Sequence, residues 1–169
     1  AAIDAEEDPH ARAGLLLLAS TGARLSEALH ARWEDISGLD GDRPVWTIPS
    51  PKAGKPQAVP LPENAAQVLR RLPRLGPYIV AGRKSLAPRR DLKGPWGRAL
   101  ERAGLGGSGL VVHDLRRSHG LEIYRSSGLL AAQRILRHAD ARTTERVYAP
   151  ISAEELREAQ ERRSRTLKF

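Results

Sequence analysis

Cysteine and methionine are both absent from the 169 residues. The first absence rules out disulfides, thiolate metal sites and a cysteine nucleophile, and it suits a reducing compartment. Aromatic residues make up only 4% of the chain, too few for the stacking platforms on which single-strand binders lay successive bases. The longest apolar run, LLLLA at 15–19, falls well short of the roughly 20 residues that span a bilayer, and no cleavable signal precedes it. The expectation is a cytoplasmic protein with no membrane partner. No methionine opens the chain, and Ala1 leads into what reads as the tail of a helix, so the chain is expected to be one domain cut from a longer protein.

Basic charge is plentiful. Lys and Arg outnumber Asp and Glu by 28 to 20, for a formal net charge of +8. Each phosphate neutralised by such a surface releases condensed counterions, so a nucleic acid is the natural partner; with so few aromatics, a duplex backbone fits better than a single strand. The competing reading is a merely solvated basic surface.

The pattern along the chain predicts an α+β domain, mainly helical, with a small antiparallel three-stranded sheet at one edge. ARAGLLLLAS at 11–20 is too apolar for a surface stripe and reads as a buried helix stopped at Thr21–Gly22, with a second helix from about Arg24. VWTI at 45–48 and QAVPL at 57–61, joined by SPKAGKP, read as a hairpin, and YIV at 78–80 as a third short strand. PENAAQVLRRL from Pro62 and WGRALERAG at 96–104 read as helices, as do the segments near 113–126, 129–137 and 152–165, with a helical turn at 143–148. The tail RRSRTLKF is basic.

Some motifs dissolve on inspection. Gly104, Gly106 and Gly109 fit GxGxxG, but no strand precedes them and no acidic residue lies ~20 positions on, so a glycine-rich loop is the better reading. Asp40 and Asp42 flank a glycine without further oxygen ligands, which makes a turn rather than a metal loop. His10, His30, His113, His119 and His138 form no metal-ligand spacing. No metal and no cofactor is expected.

If this chain acts on phosphodiesters, cationic side chains must therefore stand where metals often do. Phosphoryl transfer needs a nucleophile in line, cations on the non-bridging oxygens and a proton donor for the leaving oxygen. In TGARLSE, Arg24 begins a helix with a planar fork able to hold two phosphate oxygens, and Glu27 stands one turn on to orient it; taken alone, the pair is equally an ordinary surface ion pair. In HDLRRS, His113 and Arg116 lie one turn apart at a helix start, where the helix N-terminus also favours an anion. Its bland alternative is an amphipathic helix with a basic face.

TGARLSEAL, PKAGKPQAVPL, HDLRRS and LRHADARTTERVY together resemble, in order, the signature blocks of the tyrosine recombinases of the phage-integrase family, over roughly residues 11–150. The resemblance implies that Arg24 and Arg116 are the catalytic arginines, Lys52 the hairpin lysine, His113 and His138 the two histidines and Tyr148 the nucleophile. It implies attack by Tyr148 to give a 3′-phosphotyrosine and a free 5′ hydroxyl, resealed without ATP or metal. On that basis Lys52 protonates the leaving oxygen, and the field of the arginines helps a phenol of ordinary pKa near 10 to react. Lys55, Arg89, Arg90 and Arg117 are expected contacts to the DNA backbone. Tyr78 and Tyr124 are the other tyrosines, and both read as packed residues.

The sequence departs from the family pattern in three places: Arg137 stands before His138 where glycine is usual, Ala53 replaces a polar hairpin residue, and SHG follows Arg117. The resemblance further implies that residues 1–169 are a catalytic domain whose N-terminal DNA-clamping domain is absent, that 152–169 form a C-terminal helix and tail, and that protomers assemble on duplex DNA, as a tetramer when recombining. Two other readings are a type IB topoisomerase-like nicking and closing enzyme and a DNA-binding regulator that no longer cleaves.

Overall fold

The computed structural model describes residues 2–49, 56–82 and 85–136, apart from the side chains of residues 85 and 86. Its centre is a helix, α1 (Pro9–Thr21), whose residues Ala11, Ala13, Gly14, Leu15, Leu17, Leu18 and Thr21 are buried. A helix apolar on nearly every face must be surrounded. Packed around it are α2 (Leu25–Leu29), α3 (Glu63–Arg71), α4 (Lys93–Arg102), α5 (His113–Ser127) and the short strand β4 (Ala81–Gly82). The close fit at Gly14 shows how tightly: a methyl there would lie 3.0 Å from Leu92 and 3.1 Å from Val80. The last described helix, α6 (Leu129–Leu136), folds back on α5 after Gly128.

The start of α1 is set by Asp8, whose carboxylate accepts the N–H groups of His10 and Ala11, with Pro9 opening the first turn. Before it, residues 2–5 form turns and not the tail of a helix. Glu6, only 1% exposed, accepts hydrogen bonds from Arg98 at 2.5 and 3.2 Å and from Arg102 at 3.4 Å, which ties the N-terminal segment to α4.

A three-stranded antiparallel sheet is present, in the order β1 (Ile36–Ser37), β2 (Val45–Ile48), β3 (Gln57–Pro60). Val45 pairs with Pro60 and Ile48 with Gln57, as the hairpin reading requires, and Pro60 sits on an edge strand, where its missing N–H is tolerated. The third strand is Ile36–Ser37 rather than residues 78–80. Ile79 and Val80 are fully buried, and Tyr78 makes only an isolated bridge to Arg32. The apolar run at 78–80 thus reflects burial in the core, and the chain then enters a separate two-stranded hairpin of β4 with β5 (Ser85–Pro88).

The turn between α1 and α2 determines where Arg24 stands. Gly22 closes α1 in the left-handed conformation, φ 62°, and its N–H bonds the Leu18 carbonyl. A Cβ at this position would stand 2.7 Å from the His119 ring. Gly22→Ala is expected to cost about 2–3 kcal/mol in urea unfolding, from left-handed strain plus displacement of that ring. An unchanged midpoint would show that the turn relaxes freely.

Candidate functional site

The left-handed turn at Gly22 sends the chain directly into Arg24, which is the residue before α2. Glu27 accepts the Arg24 backbone N–H at 2.7 Å with one carboxylate oxygen and the Arg24 guanidinium at 2.8 Å with the other. One carboxylate therefore both satisfies the helix N-terminus and aims the arginine. The Arg24 side chain remains 47% exposed, whereas that of Glu27 is 15% exposed, the arrangement of a cation presented to solvent by a partly buried anion.

The second group stands at the start of α5. His113 is its first residue and is exposed; Arg116, one turn on, is 5% exposed. Asp114 accepts the Val111 N–H at 2.8 Å and pairs with Arg117 at 3.1 Å, fixing the helix entry. A buried guanidinium must be hydrogen-bonded. Arg116 donates to the carbonyl of Gly22 at 2.5 Å, 94 positions away in the chain, and to the carbonyl of Leu136 at the end of α6. The Arg24 turn, the His113 helix and the exit of α6 thus meet at one side chain.

The resulting field acts on His113. Partial burial disfavours its protonated form, the guanidiniums of Arg116, Arg117 and Arg24 repel it further, and Asp114 compensates only in part, so its pKa lies below the ordinary value near 6.5. His113 is consequently neutral at pH 7, with a ring nitrogen able to accept a proton. In the DNA-free protein its imidazole should titrate below the ordinary value near 6.5 when followed by NMR. Titration at or above that value would mean that burial and the guanidiniums do not act on it.

The other expected site residues fall differently. Arg117 is exposed beside this cluster, with a side chain 64% exposed. Arg90 is exposed, but Arg89 turns away to pair with Asp8, its side chain 16% exposed, so it fastens the hairpin to the start of α1. Burial works to raise the Asp8 pKa, yet the N–H groups of Ala11 and His10 and the Arg89 charge outweigh it and leave it lowered. Lys52, Lys55, His138 and Tyr148 lie outside the described residues, as do Ala53, Arg137, the turn at 143–148 and the segment 152–169. Tyr78 is half-buried with the Arg32 guanidinium 5.7 Å over its ring, and Tyr124 is half-buried on α5. Gly104 and Gly109 lie in the glycine-rich loop after α4, both with positive φ, and Asp40 and Asp42 in the bend between β1 and β2. Among the described residues, no group of three His, Cys, Asp or Glu side chains is placed to hold a metal ion. No helix among them is long and apolar enough to cross a membrane.

Sequence reasoning missed the backbone carbonyls of Gly22 and Leu136. The only available signal was the helix stop at Gly22, which indicates a turn but not what its carbonyl meets.

The model of the phage integrase family matches residues 1–155 of the chain. The chain belongs to the phage integrase family. Among the family's curated members it is 32% identical over 156 residues to tyrosine recombinase XerA of Pyrococcus furiosus, a match covering 88% of this chain and 52% of that one. Tyrosine recombinase XerD of Corynebacterium glutamicum is 30% identical over 158 residues, covering 87% and 50%. The chain therefore spans about half the length of the curated relatives it matches. Among solved structures, the fold is shared with XerH site-specific recombinase bound to difH substrate, at TM-score 0.76 and 24% identity over 94% of this chain and 49% of that one. It is shared too with XerA recombinase, at TM-score 0.74 and 22% identity over 99% and 61%. At these identities the structures speak for the family's catalytic-domain fold, with its mainly helical body and small antiparallel sheet.

Proposed function

We propose that this chain is the catalytic part of a site-specific recombinase that cleaves and rejoins duplex DNA through a 3′-phosphotyrosyl bond to Tyr148. The observation that carries the reading is that Arg116 bonds the carbonyl of Gly22, in the turn that leads into the Glu27-held Arg24, and that both guanidiniums lie near enough to His113 to act on its charge. Two guanidiniums and a neutral imidazole at a helix N-terminus make a receptor for a phosphate that gains negative charge in the transition state.

In this scheme Tyr148 attacks the phosphorus, its proton passing to a neighbouring base, of which His113 is the described candidate. The bond to the 5′ oxygen breaks, Lys52 supplies the proton to that oxygen, and His138 bonds a non-bridging oxygen. Phosphodiester energy is conserved in the phosphotyrosyl bond, so the 5′ hydroxyl of another strand can reverse the step with neither ATP nor a metal cofactor. Lys55, Arg90 and Arg117 serve the duplex backbone, and Arg89, committed to Asp8, acts on the fold. Several protomers, a tetramer in the recombining assembly, work on duplex DNA in the cytoplasm, with an N-terminal clamping domain supplied by sequence outside this chain. The relatives' names, XerA and XerD tyrosine recombinases, and the DNA complex of the fold neighbour XerH support strand exchange over simple nicking and closing.

Incubating the protein with nicked duplex in EDTA and without nucleotide is expected to give a protein–DNA adduct on a denaturing gel. Tight duplex binding with no adduct, on any substrate and with the flanking domain restored, would favour the non-cleaving regulator.

A further inference from the structure

A guanidinium that is 5% exposed and spans two backbone carbonyls from opposite regions of the chain does more than wait for a phosphate. We propose that Arg116 is also a positioning residue: it holds the chain where it leaves α6 against the turn that presents Arg24. The inference rests on the reading of Tyr148 as nucleophile, because His138 and Tyr148 both lie on the segment after Leu136.

Three features support it. The carbonyls Arg116 grips lie close in the chain to the residues of the proposed site: Gly22 is the left-handed cap two positions before Arg24, and Leu136 is a helical residue of α6, the last one described, two positions before His138. The bonds are charge-assisted, the class that most strongly fixes geometry, and the planar fork of arginine can reach two divergent acceptors where the ammonium of lysine is a point charge. The contact is also backed from one side: the His119 ring and the Leu136 side chain both lie against Gly22, 2.7 and 3.2 Å from where a Cβ would be, so α5, α6 and the turn are packed together at this point. A shift at the Arg24 turn must therefore be felt at the exit of α6, and the reverse.

The test compares Arg116→Lys with Arg24→Lys in the full chain, both of which keep the charge. In the DNA-free protein, Arg116→Lys is expected to raise amide hydrogen exchange over α6 by at least about tenfold, the loss of one charge-assisted bond, while exchange in α3 and α4 stays at the wild-type level. With saturating nicked duplex, adduct formation in a single turnover should fall about 100-fold with duplex affinity within about twofold, as expected for a misplaced nucleophile. Arg24→Lys should slow adduct formation and leave exchange over α6 unchanged. Unchanged exchange there in Arg116→Lys, or an equal rise in α3 and α4, or the same rise in Arg24→Lys, would overturn the proposal. If the wild type forms no adduct on any duplex, the recombinase reading fails, and the exchange comparison still decides whether Arg116 holds the exit of α6.

Discussion

Replacing Arg24 by alanine should lower the single-turnover rate of adduct formation by about 10²- to 10³-fold at saturating duplex, with the fold intact. The magnitude is that of removing one preorganised donor aimed at developing negative charge. Arg24 is suited to this role because its charge is delivered at 47% exposure by a carboxylate that also caps α2, so the side chain arrives oriented and little ordering remains to be done when a phosphate binds. Glu27→Gln keeps the shape but removes the orienting charge, and should cost about tenfold, the scale of one weakened ionic hydrogen bond. Thermal unfolding measured in parallel separates the effects: Arg24 is exposed, so Arg24→Ala should change stability by less than about 0.5 kcal/mol. A rate within threefold of wild type would remove Arg24 from the chemistry.

A second large effect is expected far from the site. Glu6→Gln should destabilise the domain by about 2 kcal/mol, because it takes the anion out of a buried position served by Arg98 and Arg102. The figure is held below that of a fully buried pair since the Arg98 side chain is 50% exposed and regains water. The pH dependence has a definite sign. The Arg98 hydrogen bond, against the opposing effect of burial, lowers the Glu6 pKa, and that of Asp8 is lowered as well. Groups whose pKa falls on folding add stability that is complete above the ordinary carboxylate range and lost as pH drops through the lower folded values. Urea midpoints of wild type and Glu6→Gln should therefore differ most at pH 6–7 and converge in acid. A gap that widens toward acid would refute the assignment.

Much of this was readable in the sequence where local chemistry decides the outcome. The apolar character of residues 11–20 requires a central helix, the hairpin of 45–48 with 57–60 is dictated by its flanking turn residues, and His113 opens α5 one turn before Arg116. What could not be read depends on partners distant in the chain. Ile36–Ser37 is too short to show a strand pattern, and Ile79 and Val80 are apolar because the core surrounds them, so the sequence pattern points to the wrong segment for the third strand. Arg89 looks like Arg90 in sequence, and only the fold brings Asp8 to it, across 81 positions. Glu6 carries no motif at all, and its arginines lie 92 and 96 positions away. In the site, side-chain identities were legible from Arg24, Glu27, His113 and Arg116, but the device joining them uses the carbonyls of Gly22 and Leu136, which any residue would possess.

The recombinase mechanism stands or falls on which atom takes up the DNA. The adduct formed on nicked duplex in EDTA should be digested with protease and nuclease and the modified peptide sequenced by mass spectrometry, with Tyr148→Phe run alongside. The expected result is a nucleotide joined through its 3′ phosphate to Tyr148, and no adduct from Tyr148→Phe despite duplex affinity within about twofold of wild type, one hydroxyl among many contacts. A nucleotide on Tyr78 or Tyr124, or an adduct that survives Tyr148→Phe, would contradict it.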